Sequence, residues 1–156
     1  MIPPLLKAPE SIIGPNGRPL FGRFDDAVAM MNHADFDLRT PMGYRASRFQ
    51  HWAGYKQFEY FGIISDSLIF GCALANLRLG GILFCYAYIP ATGELQEYRF
   101  LRPLARGIGN TTSVIAGQTR FDSGQCRAKM TYEASPRRKA LRLQVKNGLQ
   151  ADLVFD

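Results

Sequence analysis

At 156 residues the chain is long enough to bury a substantial core and too short for two complete domains of ordinary size. With 47% hydrophobic and 21% charged residues, 15 glycines and a net charge of +6, it fits a folded, turn-rich protein and not a disordered or coiled-coil one. No apolar run approaches the roughly 18 residues of a membrane-spanning helix, and Met1 to Glu10 has neither a basic leader nor an apolar core, so no transmembrane segment is expected and the expected compartment is the cytoplasm.

The first 22 residues are rich in proline, with Gly14-Pro-Asn-Gly17 reading as a turn between short extended pieces. Between Arg23 and Arg39, Ala27-Val-Ala-Met-Met31 is compatible with a helical turn, but Asp25, Asp26, Asn32, Asp35 and Asp37 favour loop. Thr40-Pro-Met-Gly-Tyr44 is a second turn, after which Phe49, Trp52 and Tyr55 lead onward. Residues 1–54 are therefore expected to form an irregular arm packed on a domain built by 55–156.

Four runs come next: Tyr55 to Ser65, Leu68 to Arg78, Gly81 to Ile89 and Leu95 to Arg102. The segments between them are short enough to join neighbouring antiparallel strands, which predicts a β-meander. The second and third runs are apolar on both faces, whereas a sheet with one wet face alternates. Either something covers both sides or one side lines an apolar cavity. In the first run Phe58, Tyr60, Gly62 and Ile64 share one face and Gln57, Glu59, Phe61 and Ile63 the other. Gly71, Ala73 and Ala75 put small residues on one face of the second run, where a backbone or a bulky ligand can approach. Phe84, Tyr86 and Tyr88 stack on one side of the third.

Beyond Leu104 a glycine-containing loop matches neither Gly-x-Gly-x-x-Gly nor the P-loop pattern. Alternating strands then follow: Gly117 to Phe121, Cys126 to Glu133, Leu141 to Lys146, and Leu149 to Asp156 after the Asn147-Gly148 hairpin turn. Each has one apolar and one wet, cationic face. The fold class is all-β: an antiparallel up-and-down meander of about eight strands, forming a barrel, half-barrel or strongly curved sheet. The last run ends as a strand, so pairing of 149–156 with a second copy or a further domain is expected.

Chemistry is sparse. Cys72, Cys85 and Cys126 are odd in number, widely spaced and set in apolar runs, the pattern of free buried thiols; no zinc-ligand spacing occurs, and neither metal nor cofactor is expected. His33, near Asp35 and Asp37, and His51 lack the spaced partners of a ligand set. No Gly-x-Ser-x-Gly elbow occurs. Glu59 is the candidate catalytic acid, because a carboxyl between aromatics that faces inward has a raised pKa; facing outward it is an ordinary solvated acid. Asp25 and Asp26 stand in reserve. Arg99 to Lys146 carries eleven Lys and Arg against Asp122 and Glu133, which reads as a solvated sheet face or a polyanion surface; without stacking aromatics, nucleic acid is not an expected partner.

Tyr55-Lys-Gln-Phe-Glu-Tyr-Phe61, Ala75-Asn-Leu77, Gly81-Ile-Leu-Phe-Cys-Tyr86, Thr92-Gly-Glu94 and Pro103-Leu104 before the glycine loop together resemble a bacterial family, domain of unknown function 2804. That family is similar to the lipocalin-like carotenoid hydratases and related secreted hydrolases, built from two calycin-type β-domains in tandem. The resemblance implies a lipocalin-like domain corresponding to the amino-terminal half of such a pair, and it brings no catalytic residues with it. The expected function is binding of a hydrophobic small molecule against Trp52, Phe58, Tyr60, Phe70, Phe84, Tyr86 and Tyr88. Two alternatives stand beside it: a hydratase or isomerase using Glu59 as acid, and a basic-face module for polyanions or proteins.

Overall fold

The computed structural model describes residues 3–134 and 136–155; Asp156, the end of the last expected strand, lies outside them. The fold is all-β apart from one short helix and one 3-10 turn, and it consists of antiparallel meanders without a closed barrel. Two two-residue strands of the arm, β1 (Leu5–Leu6) and β2 (Arg23–Phe24), pair in parallel. The Gly14–Gly17 turn closes through Gly17 N to Gly14 O at 2.9 Å, and the 40–44 turn through Gly43 N to Thr40 O at 2.8 Å. The helical turn falls at His33–Asp35, not at Ala27 to Met31.

Helix α1 (Arg48–Gly54) was not expected from the sequence. It begins at a capping box in which the Ser47 hydroxyl accepts from Gln50 N while the Gln50 side chain accepts from Ser47 N. The chain then enters the first sheet, β3 (Gln57–Ile64), β4 (Ile69–Asn76), β5 (Gly80–Ile89) and β6 (Glu94–Pro103), in sequential order. The second sheet runs β7 (Ile108–Gly109), β8 (Gly117–Asp122), β9 (Cys126–Ala134), β10 (Arg137–Val145) and β11 (Gln150–Phe155), also sequentially. Its final hairpin turns at Asn147 (φ 58°), but Val145 N bonds Leu149 O, so three residues, 146–148, form the loop and not two.

The two sheets bury their inner faces against each other. Phe70, Cys72, Leu74, Leu83 and Cys85 of the first sheet join Phe121, Cys126, Ala128, Met130, Leu141, Leu143 and Val145 of the second in one continuous core. Fully burying a Leu or Phe side chain is worth about 1.5–3 kcal/mol. The oily hollow expected from the double-faced strands is therefore not in the middle, which side chains fill. Phe100 meets Phe121 on one flank and Phe61 meets Phe155 on the other, the latter ring centroids 4.7 Å apart. The outer face of the second sheet is wet and cationic as expected, with Arg120, Lys129 and Arg142 in one cross-strand row and Asp152 at its end.

Candidate functional site

Register decides which residues share a face. Phe58 pairs with Ala75 and Ile82 through β4, Tyr60 with Ala73 and Phe84, and Gly62 with Gly71 and Tyr86. Phe58, Tyr60, Phe84, Tyr86 and Tyr88, five of the seven expected ligand contacts, thus lie together on the outer face of the first sheet, opposite the core. Nothing among the described residues covers that face: Phe58 is 65% exposed and Ile64 85%. A dent of about 310 Å³ lies on it between Phe84, Tyr86, Glu97 and Arg99. Phe70 points the other way and is buried in the core. Trp52 lies on α1 in the arm.

The same alternation sends Gln57, Glu59, Phe61 and Ile63 inward. Phe61 and Ile63 reach the core, but near the start of β3 the sheets splay and leave a seam of about 440 Å³. Met31, Tyr55, Phe61, Val114 and Met130 supply its apolar wall, and Gln57, Asn110, Thr111, Thr119, Thr131 and Lys139 its polar one. Glu59 projects into it toward Thr119 of β8 and Lys139 of β10. Burial raises the Glu59 carboxyl above the usual carboxylate range, while Thr119 and Lys139 pull the other way. Tyr132 of β9 also lines the seam; its hydroxyl donates to Ser113 O at 3.0 Å, and burial followed by the Glu59 charge raises its pKa. Asp25 and Asp26 do not line the seam: their carboxylates accept from Ala8 N and Ala27 N, each at 2.7 Å, on the exposed arm.

Aligned with family descriptions, residues 5–156 match Domain of unknown function (DUF2804). The chain belongs to this family. No curated protein and no solved structure matches it. A DUF2804 chain has no activity attached to its name, so the side chains themselves must indicate the chemistry. Among the described residues no group of three or more His, Cys, Asp or Glu is placed to hold a metal. No helix in the described DUF2804 residues is long and apolar enough to cross a membrane, which leaves membrane-spanning strands unaddressed. The thiols are buried and free; burial pushes Cys85 up to about 11, Cys126 up to about 12 and Cys72 further still.

Sequence reasoning missed the meeting of the two histidines. His33 and His51 both line a polar cleft of about 870 Å³ in the arm, together with Trp52 and Arg78. His33 stacks on Tyr55, centroids 3.6 Å apart and planes 7° from parallel. Eighteen positions separate the two histidines in the chain, and their segments are tied by the His33–Tyr55 stack and by the hydrogen bond from the His51 ring to Phe36 O at 2.9 Å. No spacing rule could have found it.

Proposed function

We propose that this protein binds a neutral hydrophobic small molecule carrying one hydroxyl or carbonyl group, in the seam beside β3. The supporting observation is Glu59, a carboxyl turned into an opening of about 440 Å³ whose wall mixes Met31, Phe61, Val114 and Met130 with Thr111, Thr119, Thr131 and Lys139, a size ordinary for small-ligand sites. A protonated Glu59 donates a hydrogen bond to the ligand oxygen, while Met31, Phe61 and Met130 contact the apolar body. Binding then releases ordered water from apolar walls, the ordinary driving force for such sites. A distant relation to lipocalin-like proteins, expected from the sequence, is consistent with this use of a β-framework.

Native mass spectrometry of the whole chain with farnesol, retinol and β-ionone tests the reading. Retention of at least one, lost in Met130→Trp, supports it; no retained compound at millimolar concentration overturns it.

A second reading, an acid catalyst, is favoured by the raised Glu59 pKa alone: near neutral pH more of this carboxyl keeps its proton than an ordinary glutamate would. Such a proton can pass to a ligand double bond, the resulting cation being captured by water or losing a different proton. Turnover abolished in Glu59→Gln with ligand retention intact is the expected signature. The polyanion reading is weakened by Asp122 and Asp152, which pair with Arg127 and Arg142 at 3.3 Å each on the basic face. Pairing of 149–156 with a second copy or further domain has in its favour only that β11 is an outer strand of its sheet.

A further inference from the structure

The arm holds a second opening, about 420 Å³ and almost wholly apolar, floored by Ile12, Ile13, Pro19 and Met31. His33, Phe36, Leu38 and His51 line both this opening and the polar cleft described above. At the junction stands Arg78, in a left-handed backbone conformation (φ 69°), its guanidinium 5.0 Å from the Tyr55 ring centre. One guanidinium nitrogen lies 3.5 Å from His33 Nε2, and Arg78 Nε is buried without an acceptor.

The charges around this point do not balance locally. Asp37 is occupied by Arg39 at 2.7 Å and Arg45 at 3.5 Å, and Asp35 accepts from the Asn32 amide at 2.8 Å. Among the described residues neither Arg78 nor Arg48, which also lines the cleft, has a carboxylate within ion-pair distance. A half-buried guanidinium with no carboxylate partner is a poor neighbour for a metal ion and a good one for an oxyanion. Of the acids in the cleft, Asp37 is ion-paired with Arg39 and Arg45, its Oδ1 accepting no hydrogen bond, and Asp35 is held by the Asn32 amide.

We propose that the arm binds an amphiphilic oxyanion, a carboxylate or phosphate ester, with its head at Arg78 and Arg48 and its apolar chain in the chamber lined by Ile12, Ile13 and Met31. His33 and His51 lie where head and chain meet, each ring bordering both openings. This site is distinct from the Glu59 seam, although Met31, Tyr55 and Lys56 border both.

Trp52, the single tryptophan, lines the cleft and supplies the readout. The whole chain is titrated, by fluorescence and calorimetry, with octanoate, octyl phosphate, octanol and inorganic phosphate. The expected result is that octanoate or octyl phosphate binds at least tenfold more tightly than both octanol and inorganic phosphate, the tighter of the two identifying the head group. Arg78→Gln is expected to weaken that binding at least tenfold; should it misfold by circular dichroism, Arg48→Gln, on the exposed side of α1, is expected to weaken it at least threefold. Met130→Trp, which fills the other seam, is expected to leave octanoate or octyl phosphate affinity unchanged, so that loss of one site is not mistaken for loss of the other. Octanol binding as tightly as the anions, inorganic phosphate binding as tightly as octyl phosphate, or unchanged affinity in a folded arginine variant would overturn the proposal.

Discussion

The hydroxyls of Tyr60 and Tyr86 meet at 3.1 Å across the width of β4, bridging from β3 to β5 directly above Gly71. A Cβ at Gly71 would overlap the Tyr86 ring and come within 2.8 Å of the Tyr60 hydroxyl. The glycine is thus needed for close approach, since its φ is not in the left-handed region. Gly71→Ala is expected to cost about 1–3 kcal/mol, the usual range for forcing a methyl into a packed site. Gly80→Ala, where nothing lies within 4 Å of the new methyl, is the control and should be neutral or slightly stabilising. Urea unfolding of the two variants separates close packing from general intolerance of side chains in this sheet.

Glu59 makes stability depend on pH. Its folded-state pKa is raised, chiefly by desolvation, above the value of 4.5 expected in the unfolded chain. In the window between the two values the folded state holds more protons than the unfolded one, so stability falls as pH rises from about 4.5 through the folded pKa and is level above it. Glu59→Gln removes that fall. The variant should show a flatter stability profile between pH 4 and pH 8 and be relatively more stable at the alkaline end; parallel profiles for the two proteins would mean that the carboxyl is solvated.

The outer face of the first sheet leaves Ile64 and Leu101 85% and 67% exposed at its two edge strands. Neither touches the core, so Ile64→Lys with Leu101→Glu should leave thermal stability within about 0.5 kcal/mol of wild type. Soluble yield and the concentration at which light scattering begins should both rise, because a contiguous apolar surface promotes association. A fall in melting temperature of many degrees would show that these side chains are packed.

The strands were legible because their periodicity survives burial. In β9, Cys126, Ala128 and Met130 alternate with Arg127, Lys129 and Thr131, which assigns inside and outside directly. In β4 and β5 the same rule has nothing to act on, because Gly71, Ala73, Phe84 and Tyr86 are as apolar as Cys72, Leu74, Leu83 and Cys85. From the sequence either side of these strands can be the inner one, and β3 compounds the ambiguity by turning Glu59 inward while Phe58 and Ile64 face out. Helix α1 buries no residue fully; in its seven residues Phe49, Trp52 and Ala53 make a single short apolar trio at helical spacing, too brief for periodicity to register, beside the Ser47–Gln50 cap. The arm cleft escaped because its members come from turns whose meeting depends on tertiary contacts such as His33 on Tyr55.

Cys72 and Cys85 sit opposite each other on β4 and β5, while Cys126 belongs to the second sheet. The thiolate is the form that attacks an alkylating reagent, and burial disfavours that form at all three. Each native molecule consequently carries its own stopwatch for opening: iodoacetamide at pH 8 marks a sulfur only after the surrounding layer has come apart. If the sandwich opens as a unit, mass spectra taken over time should contain untouched and triply tagged chains with little between. An accumulating population tagged at Cys126 alone, or at Cys72 and Cys85 alone, would reveal which half lets go first.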